Sequence, residues 1–527
     1  MSTGTDTAAP YRSPLRAGRD GFARLLRAEW TKFRTVRGWV LAMGAAALVT
    51  VLLGVLLATG MRTVCSNGPV EIRCPALPTG PGGEAVDDKF YFVYRQLTGD
   101  GSITARVTSM AGQIRLPDAV PGVRNVVPGV VPWAKAGVMV KESGEQGSPY
   151  AAVMVTGEHG VRMQHDFTHD TAGRPGKVSE RSPRWLRLTR TGETLTGYES
   201  ADGVTWAAVG TVRLAGLPDT VRIGMFAASP GHLTVTQGGI SGSSSAMRFA
   251  EVTAVFDRVG LEGTAPAGAW SRQDVGVTLG PDGLPHHPGG LVESGGTFTV
   301  TGVGDIAPRL GDAVVETPLT GVAIGLIAVI VVAVTFMTAE YRRGLIRTTL
   351  LASPRRGRVP AAKAVVIGAA AFAAGLVAAG VTVPLGTRLL REGGTPVLPV
   401  SALTELRVIV GCAAMFAATA VFALALGALF RRGVAAVAAA VVMIILPHIL
   451  ATASVLPVDA AQWLLRVTPA AAFAILQSVP EYPQVIHHYA PAAGFYPLAP
   501  WAGLAVLCGY AVLALGLAVF LLRRRDA

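Results

Sequence analysis

Residues 39–59 read WVLAMGAAALVTVLLGVLLAT, a run in which no side chain carries a charge. At 1.5 Å per residue, a helix of this length reaches about 30 Å, the thickness of the hydrocarbon layer of a bilayer. Five further charge-free runs follow, at residues 319–338, 364–384, 408–430, 433–455 and 501–522. The sequence therefore predicts an all-α membrane body with six transmembrane helices.

The polar segment between the first two runs, residues 60–317, forms a separate body. It carries 22 Lys and Arg against 25 Asp and Glu, whereas the rest of the chain carries 24 against 9. The net positive charge therefore belongs to the membrane part, where it flanks spans instead of forming a patch of the size of a nucleic-acid groove. We expect no nucleic-acid partner. The chain divides into a cytoplasmic tail with an interfacial helix (1–38), a first span (39–59), the insert (60–317) and a five-span portion (318–527).

The basic residues that flank the runs indicate how the chain crosses the membrane. They fall in four groups, at residues 12–37, 342–363, 431–432 and 523–525. Lys and Arg near short loops remain on the cytoplasmic side, and with six spans all four groups share one side. We therefore expect a multi-pass protein in contact with membrane lipid, with both termini cytoplasmic and residues 61–317 extracellular. The excess of Arg over Lys, 40 to 6, is typical of a GC-rich bacterial genome and indicates a bacterial plasma membrane.

A short amphipathic segment precedes the first run. Phe22, Leu25, Leu26, Trp30 and Phe33 recur at helical spacing, with basic residues between them. This pattern is typical of a helix that lies in the headgroup layer, which Trp favours. The alternative is a plain cytoplasmic extension of the first span. That span starts too late and is too long for the apolar region of a signal peptide, so we expect it to remain as an anchor.

The four cysteines fall into two pairs. Cys65 and Cys74 lie in the Pro- and Gly-rich start of the insert, on the predicted external side, where a disulfide is chemically permitted. The residues between them include Gly68 and can turn back, so we predict that the two are bonded. Cys412 and Cys508 lie inside apolar runs and are expected to be packing residues.

Short alternating runs indicate β-strands in the insert. Apolar and polar residues alternate over residues 103–108 and 136–141, and turn residues separate such runs. The dipeptide at 202–203, Asp-Gly, lies between residues 196–198 and 204–206 and predicts a hairpin formed by those two segments. No stretch of the insert is typical of a helix of normal length. The insert is therefore predicted to be an all-β sandwich.

Several segments of the insert resemble strands of concanavalin- or laminin-G-type jelly rolls. They are residues 90–94 (FYFVY), 133–139 (WAKAGVM), 185–188 (WLRL) and 202–206 (DGVTW). The resemblance covers about residues 85–258 and implies an extracellular jelly-roll sandwich. Relatives of this fold often bind carbohydrate, so carbohydrate is a candidate partner, although fold does not fix function. We expect Trp133, Trp185 and Trp206 in the core, which is commoner for such residues than a sugar-binding surface.

The sequence lacks the motifs that would make the chain an enzyme. There is no G-x-x-x-x-G-K-[ST] phosphate loop, so ATP has to be bound by a different subunit. His165 and His169 have the outer spacing of a zinc-protease motif, but the Glu that should follow the first His is absent and the segment lies between strands. No G-x-S-x-G occurs. We therefore predict no catalytic residue, no metal and no cofactor in this chain.

The segment after the second run carries the strongest functional signal. It reads TAEYRRGLIRTTLLASPRR over residues 338–356 and closely resembles the cytoplasmic loop of type-2 ABC export permeases. In that family a short coupling helix in this loop docks onto an ATPase subunit. Residues 27–34 (RAEWTKFR) and 520–527 (FLLRRRDA) resemble the family's interfacial helix and its usual end. The resemblance covers all six spans, and the large domain in the first external loop departs from it.

The resemblance implies a separate ATPase subunit, which holds ATP and Mg²⁺, and a second permease chain, either identical or different. We expect the loop 340–363 to contact the ATPase. The predicted contact residues are Glu340, Arg342, Arg343, Gly344, Leu345, Ile346 and Arg347. Glu340 is spaced to pair with Arg343 or Arg347 on a helix. The alternative is an anchor for anionic lipid, but the apolar pair within the basic cluster favours a docking surface.

Two further features lie inside the runs. Ala371, Gly375 and Ala379 form a stripe of small residues, which permits close approach of helices. Pro447 and His448 interrupt the fifth run. An ionisable group at membrane depth is by default a functional residue, so we assign both to a translocation path. The alternative is a kinked helix whose imidazole bonds to a neighbouring carbonyl or hydroxyl group.

These features together predict ATP-driven export of a hydrophobic or amphipathic compound. The charge-free runs offer no ion relay, which argues against a proton-coupled carrier. One alternative is a membrane-anchored, carbohydrate-binding receptor, for which a single span would suffice. The other is a permease for polysaccharide export whose external domain holds the emerging chain.

Overall fold

The computed structural model describes residues 21–67, 70–72, 74–118, 124–237, 243–265, 268–279, 285–342 and 357–524. Within these ranges the chain forms a helical bundle and a β-sandwich, and the sandwich is inserted between the first two long helices of the bundle. We call the end of the bundle next to the sandwich the near end. The far end is the opposite one, where the first long helix begins and the second ends.

The bundle consists of long apolar helices and shorter connecting helices. The helices are α1 (Phe22–Thr35), α2 (Arg37–Gly60), α3 (Val322–Arg342), α4 (Arg358–Glu392), α5 (Ala402–Phe430), α6 (Gly433–Thr452), α7 (Val458–Val467) and α8 (Pro500–Arg524), with 3-10 helices at Thr317–Gly321, Pro469–Leu476 and Pro491–Ala493. Among the described residues, six helices are long and apolar enough to cross a membrane: α2, α3 with the turn before it, α4, α5, α6 and α8. Their number and order are those predicted from the sequence.

The bounds of the helices differ from the apolar runs where polar residues continue the helix. Helix α4 extends past both ends of residues 364–384, and α5 begins at Ala402 rather than at residue 408. The hydroxyl of Ser401 accepts a hydrogen bond from the backbone N–H of Thr404, at 3.2 Å, and so caps α5. Hydropathy alone marks the part of a helix that suits lipid, whereas capping decides where the helix begins.

The stripe of small residues lies on a buried face of α4, and its central member, Gly375, contacts α5. Ala371, Gly375 and Ala379 are all buried. A Cβ atom placed on Gly375 would lie 2.9 Å from the Cα atom of Ala413. The absence of a side chain at this position therefore sets the distance between the two helix backbones.

The insert is built almost entirely of strands. They are β1 (Cys65–Asn67), β2 (Val70–Ile72), β3 (Val86–Asp88), β4 (Phe90–Arg115), β5 (Val126–Pro128), β6 (Lys135–Lys141), β7 (Tyr150–Thr156), β8 (Val161–His165), β9 (His169–Ala172), β10 (Arg184–Thr191), β11 (Thr194–Ser200), β12 (Ala207–Arg213), β13 (Thr220–Ala228), β14 (His232–Gln237), β15 (Ser243–Arg248), β16 (Ala250–Thr264), β17 (Ser271–Val275), β18 (Thr278–Leu279), β19 (Pro285–His286), β20 (Gly290–Ser294), β21 (Thr297–Gly302) and β22 (Ile306–Pro308). The sandwich thus continues to Gly302, beyond residue 258, where the resemblance to jelly rolls ends.

Strand β4 belongs to both layers of the sandwich. Its first part pairs with β13 and β17, and its second part pairs with β10 and β16. The layers are β9-β8-β7-β6-β13-β4-β17 and β12-β11-β10-β4-β16-β21-β20, joined through β4 into one sheet. Gly99, with φ of +71°, lies where β4 passes from one layer to the other. The single long strand therefore fixes the registers of both layers.

The alternating residues of β4 face the core, as predicted. Ile103, Ala105 and Val107 are fully buried between the layers. Strand β6 is buried on both faces, because a second apolar cluster, which includes Phe90 and Phe226, covers the outside of the first layer. The sequence of β6 alternates, but its two faces pack against two separate cores.

Two details of the insert differ from the prediction. The hairpin around residues 202–203 has a longer loop, and its second strand begins at Ala207 rather than at residue 204. The carboxylate of Asp202 accepts hydrogen bonds from the backbone N–H groups of Val204 and Thr205, both at 2.8 Å. These donors are used within the loop and cannot pair in the sheet.

The prediction of tryptophans in the core is correct for Trp133 and wrong for Trp185 and Trp206. Trp133 is buried, whereas the other two are partly exposed on the outside of the second layer. The guanidinium of Arg106 lies 5.6 Å from the ring centre of Trp185, and that of Arg187 lies 4.1 Å from the ring centre of Trp206. The cationic side chains cover these rings in place of a second sheet.

The sandwich contacts the near end of the bundle through the segments between helices. Ala313, just after the sandwich, forms a parallel bridge with Val397, and the backbone N–H of Leu398 donates to the carbonyl of Ala313 at 2.8 Å. The amide Nε2 of Gln484 donates to the carbonyl of Thr168 at 3.1 Å. The two bodies are therefore joined by backbone contacts as well as by the chain itself.

A disulfide joins Cys65 and Cys74, and β1 and β2 form a small antiparallel ladder between the two cysteines. We expect mass spectrometry of the unreduced full-length protein to find a linked peptide that contains both residues, and reduction to release two thiols. A reduced and alkylated sample is the control for peptide recovery. Alkylation of both cysteines without prior reduction would contradict the bond.

We expect Gly375→Val to lower the melting temperature of the purified protein. The new Cβ would press on the backbone of Ala413, and such overpacking costs about 1–3 kcal/mol. The matched control is Gly380→Val on the same helix, because a Cβ there meets nothing within 4 Å. Equal melting temperatures for the two variants would show that the α4–α5 contact is not close-packed at Gly375.

Candidate functional site

Four charged side chains meet at the far end of the bundle, and we call them the charge cluster: Glu29, Lys32, Glu340 and Lys363. The Lys363 Nζ atom lies 2.7 Å from Glu29 Oε2 and 2.8 Å from Glu340 Oε1. The Lys32 Nζ atom lies 2.8 Å from Glu29 Oε1 and 3.0 Å from Glu340 Oε1. Two carboxylates and two ammonium groups thus form a neutral set.

Three helices supply the cluster. Glu29 and Lys32 are three residues apart on one face of α1, Glu340 lies in the last turn of α3, and Lys363 lies near the start of α4. The Lys363 Nζ atom also lies 4.4 Å from the ring centre of Phe336. The cluster therefore holds α1 against the two helices that flank residues 343–357.

Most of the charge cluster is buried. The residues Glu29 and Lys363 are 0% and 1% exposed, Glu340 is 7% exposed, and only Lys32 reaches solvent. Burial lowers the pKa of Lys32, but its contacts with Glu29 and Glu340 outweigh that effect and raise the pKa above its usual value. Lys32 therefore remains protonated at neutral pH, and removal of any buried member would leave a charge without its counter-charge.

The predicted ATPase-contact residues fall in two groups. Arg343, Gly344, Leu345, Ile346 and Arg347 lie outside the described residues, as does the side chain of Arg342 at the end of α3. The structure does describe Glu340, and its Oε1 atom accepts hydrogen bonds from Lys32 and Lys363. Glu340 therefore lies inside the protein, between helices, and its contact with an ATPase stays a prediction.

One feature of the sequence indicates the cluster, although the pattern of apolar runs and basic groups does not include it. Leu25, Glu29 and Phe33 are spaced four residues apart and therefore share one face of α1. An acidic residue in the middle of an apolar face has to be paired if that face is buried. One partner of Glu29, Lys32, lies three residues away on the same helix, whereas the other, Lys363, lies 334 residues away and follows only from the tertiary structure.

Pro447 and His448 lie within a continuous helix, so the predicted interruption of the fifth span is wrong. Helix α6 runs through both residues to Thr452. The ring of His448 stacks on that of Phe473, with 3.6 Å between ring centres and 6° between planes. The Nδ1 atom of His448 has no hydrogen-bond partner among the described residues. Stacking orients this imidazole, and within the described residues its Nδ1 atom does not make the carbonyl or hydroxyl bond of the alternative.

His448 faces a cavity of about 560 Å³ at the near end of the bundle. The walls come from the start of α3, from α6 and from the connection between α7 and α8. We call this space the near-end cavity; its polar and aromatic lining residues are Asp312, Glu316, Thr317, Thr320, His448, Thr452, Phe473, Gln477, Phe495 and Tyr496. Its volume is that of a site for a small organic molecule.

We expect Lys363→Met to lower the free energy of unfolding by about 3–5 kcal/mol, because two buried carboxylates would lose their shared cation. The measurement is thermal or denaturant unfolding of the full-length protein in detergent. The matched control is Arg388→Met in the same helix, since Arg388 pairs with Glu392 in water, where an ion pair adds little to stability. Similar losses in both variants would contradict the role assigned to the cluster.

Comparisons with known proteins identify no family for this chain. No family model matches the sequence, and no curated protein matches it. Among solved structures, scytalido-glutamic peptidase with a transition state analog inhibitor aligns at 9% identity over 41% of this chain and 98% of that one, with a TM-score of 0.26. A functionally unknown protein from Saccharomyces cerevisiae aligns at 15% identity over 37% and 85%, with a TM-score of 0.21. The GH43 protein BlXynB from Bacillus licheniformis aligns at 13% identity over 31% and 28%, with a TM-score of 0.17.

Proposed function

We propose that the chain is the transmembrane subunit of an ATP-driven ABC exporter that moves a hydrophobic or amphipathic compound out of a bacterial cell. In this proposal the far end of the bundle is cytoplasmic and the sandwich is extracellular. ATP and Mg²⁺ are held by a separate ATPase subunit, and a second permease chain completes the transporter. The resemblance of residues 338–356 to the coupling loop of type-2 permeases is the sequence support.

The observation that carries the proposal is the position of the charge cluster. Its members Glu340 and Lys363 stand at the two ends of the predicted coupling loop 340–363, and Glu29 belongs to the helix that precedes the first span. A force applied to the loop would act on α3 and α4 together. Because the cluster also holds α1, that helix would move with them.

The strength of the cluster suits this role. Separation of a buried ion pair leaves each charged group without a partner and without water, which costs several kcal/mol. By contrast, the exposed ion pair of Arg388 and Glu392 would separate far more easily, because water solvates both groups. The far end of the bundle can therefore transmit a displacement without first coming apart.

The partly exposed Trp185 and Trp206 favour the two alternative functions that involve carbohydrate. Rings on a sandwich surface can stack on sugars, which suits polysaccharide export or a carbohydrate receptor. Both rings, however, already carry an arginine over one side. The exporter of an amphipathic compound remains the preferred function, because a receptor requires one span and the described part of the chain contains six candidate spans.

We expect the double variant Arg343→Glu, Arg347→Glu to insert normally into the membrane and to lose ATP-driven efflux. The other basic groups still orient the chain, whereas the reversed charges would repel the acidic clefts that the family resemblance implies on the ATPase. Co-purification of a phosphate-loop ATPase with the tagged chain from native membranes should fall at least tenfold.

The matched control for that experiment is Arg523→Glu, Arg524→Glu, which reverses two charges at the end of α8. It should keep both the ATPase and the efflux. A loop variant that inserts and transports at the wild-type rate would show that residues 340–363 are only a membrane anchor. The coupling assignment would then be wrong.

A further inference from the structure

The near-end cavity is lined by a carboxylate, that of Glu316, one of whose oxygens has no hydrogen-bond partner among the described residues. Glu316 precedes the 3-10 helix that leads into α3, and its Oε1 atom accepts a hydrogen bond from the backbone N–H of Ser478 at 2.7 Å. Its Oε2 atom is shielded from solvent and has no partner among the described residues. A buried acceptor without a partner costs about 1–3 kcal/mol, so it points to a group that the protein itself does not supply.

The remaining walls favour a positive charge. Among the described residues that line the cavity, none is Lys or Arg, and the two acidic residues are Asp312 and Glu316. Asp312 is already paired with Arg309. Arg407 is near enough to act on Glu316, but its guanidinium donates to the carbonyls of Ile475 and Gln477 and does not line the cavity. Glu316 is thus the carboxylate that is left for a ligand.

Aromatic rings supply the second requirement of a cation site. Phe473, Phe495 and Tyr496 line the cavity together with His448, which stacks on Phe473 and lies 6.4 Å from Tyr496 between ring centres. The faces of phenyl and phenol rings carry negative potential and attract organic cations. The rest of the lining is largely alkyl, which suits an apolar body attached to the charge.

We infer that the near-end cavity binds an amphipathic organic cation, with its charge at Glu316 and its apolar part among Phe473, Phe495 and Tyr496. This inference gives the proposed exporter a ligand class. The identification of the ligand as the transported compound rests on the proposed function. Binding itself does not depend on the ATPase. Burial raises the pKa of Glu316, only partly offset by donors at Ser478 and the charge of Arg407, and a bound cation would lower that pKa again.

The test uses two probes of nearly the same shape and opposite charge, the tetraphenylphosphonium cation and the tetraphenylborate anion. The full-length protein is placed in nanodiscs of phosphatidylcholine, and binding to empty nanodiscs is subtracted. We expect at least tenfold tighter binding of the cation than of the anion. Equal affinities, or tighter binding of the anion, would overturn the inference, and this comparison requires no variant.

The variant test replaces the charge but keeps the shape. Glu316→Gln retains an oxygen that can accept from Ser478 and should weaken binding of tetraphenylphosphonium at least tenfold. The matched control is Glu481→Gln, because Glu481 is exposed in the same connection and does not line the cavity. It should bind as the wild type does. Wild-type affinity of a folded Glu316→Gln protein, as judged by its elution and melting temperature, would overturn the site.

The two proposals can fail separately. If the cation binds as expected but efflux does not depend on ATP, the exporter is wrong and the site stands. If ATP-driven efflux is measured and Glu316→Gln binds the cation as well as wild type, the site is wrong and the exporter stands.

Discussion

The ammonium group of Lys363 lies between two carboxylates, those of Glu29 and Glu340, in the interior of the bundle. Burial of one charge there would be prohibitive, whereas the four-membered set is neutral and hydrogen-bonded. The ends of α1, α3 and α4 consequently have one arrangement in which every buried charge is paired. The rest of the far end depends on that constraint, since the apolar faces of these helices could also pack in other registers.

The sandwich also contains buried ion pairs, and they lie where the chain enters and leaves it. The Lys135 Nζ atom lies 2.6 Å from Asp305 Oδ1, and the Lys141 Nζ atom lies 2.8 Å from Asp88 Oδ2. Asp88 belongs to β3 and Asp305 precedes β22, and these two strands pair with each other. The pairs thus fix both ends of the insert on the first layer.

Local patterns were sufficient for much of this fold. The length of the charge-free runs predicts the six candidate spans, and the alternation of residues 103–108 predicts a strand with one buried face. Local patterns fail where a side chain acts on a distant or unexpected backbone group. Asp202 binds N–H groups that a strand would need, and Arg106 and Arg187 cover rings that would otherwise require a core.

The candidate sites were harder to predict, for a related reason. Pro447 within a run is a local signal for a break, yet α6 continues through it, although the ring removes one N–H donor and crowds the carbonyl four residues earlier. The charge cluster joins residues more than 300 positions apart. Glu316 lies at the edge of an apolar run, where a carboxylate is ordinary, and only the packing of the near end leaves its Oε2 atom without a partner.

Helix α3 connects the two sites. Glu316 lies just before the turn that leads into it, and Glu340 lies in its last turn, so the sites stand at opposite ends of one helix. At 1.5 Å per residue, α3 spans about 30 Å, and a helix of this length behaves as a stiff element. Its contact with α2 is close, because a Cβ atom on Gly325 would lie 3.2 Å from the carbonyl oxygen of Ala46. A displacement of α3 at the charge cluster would therefore be shared with α2 and would reach the wall of the near-end cavity, as the proposed coupling between an ATPase at the far end and a ligand in that cavity would require.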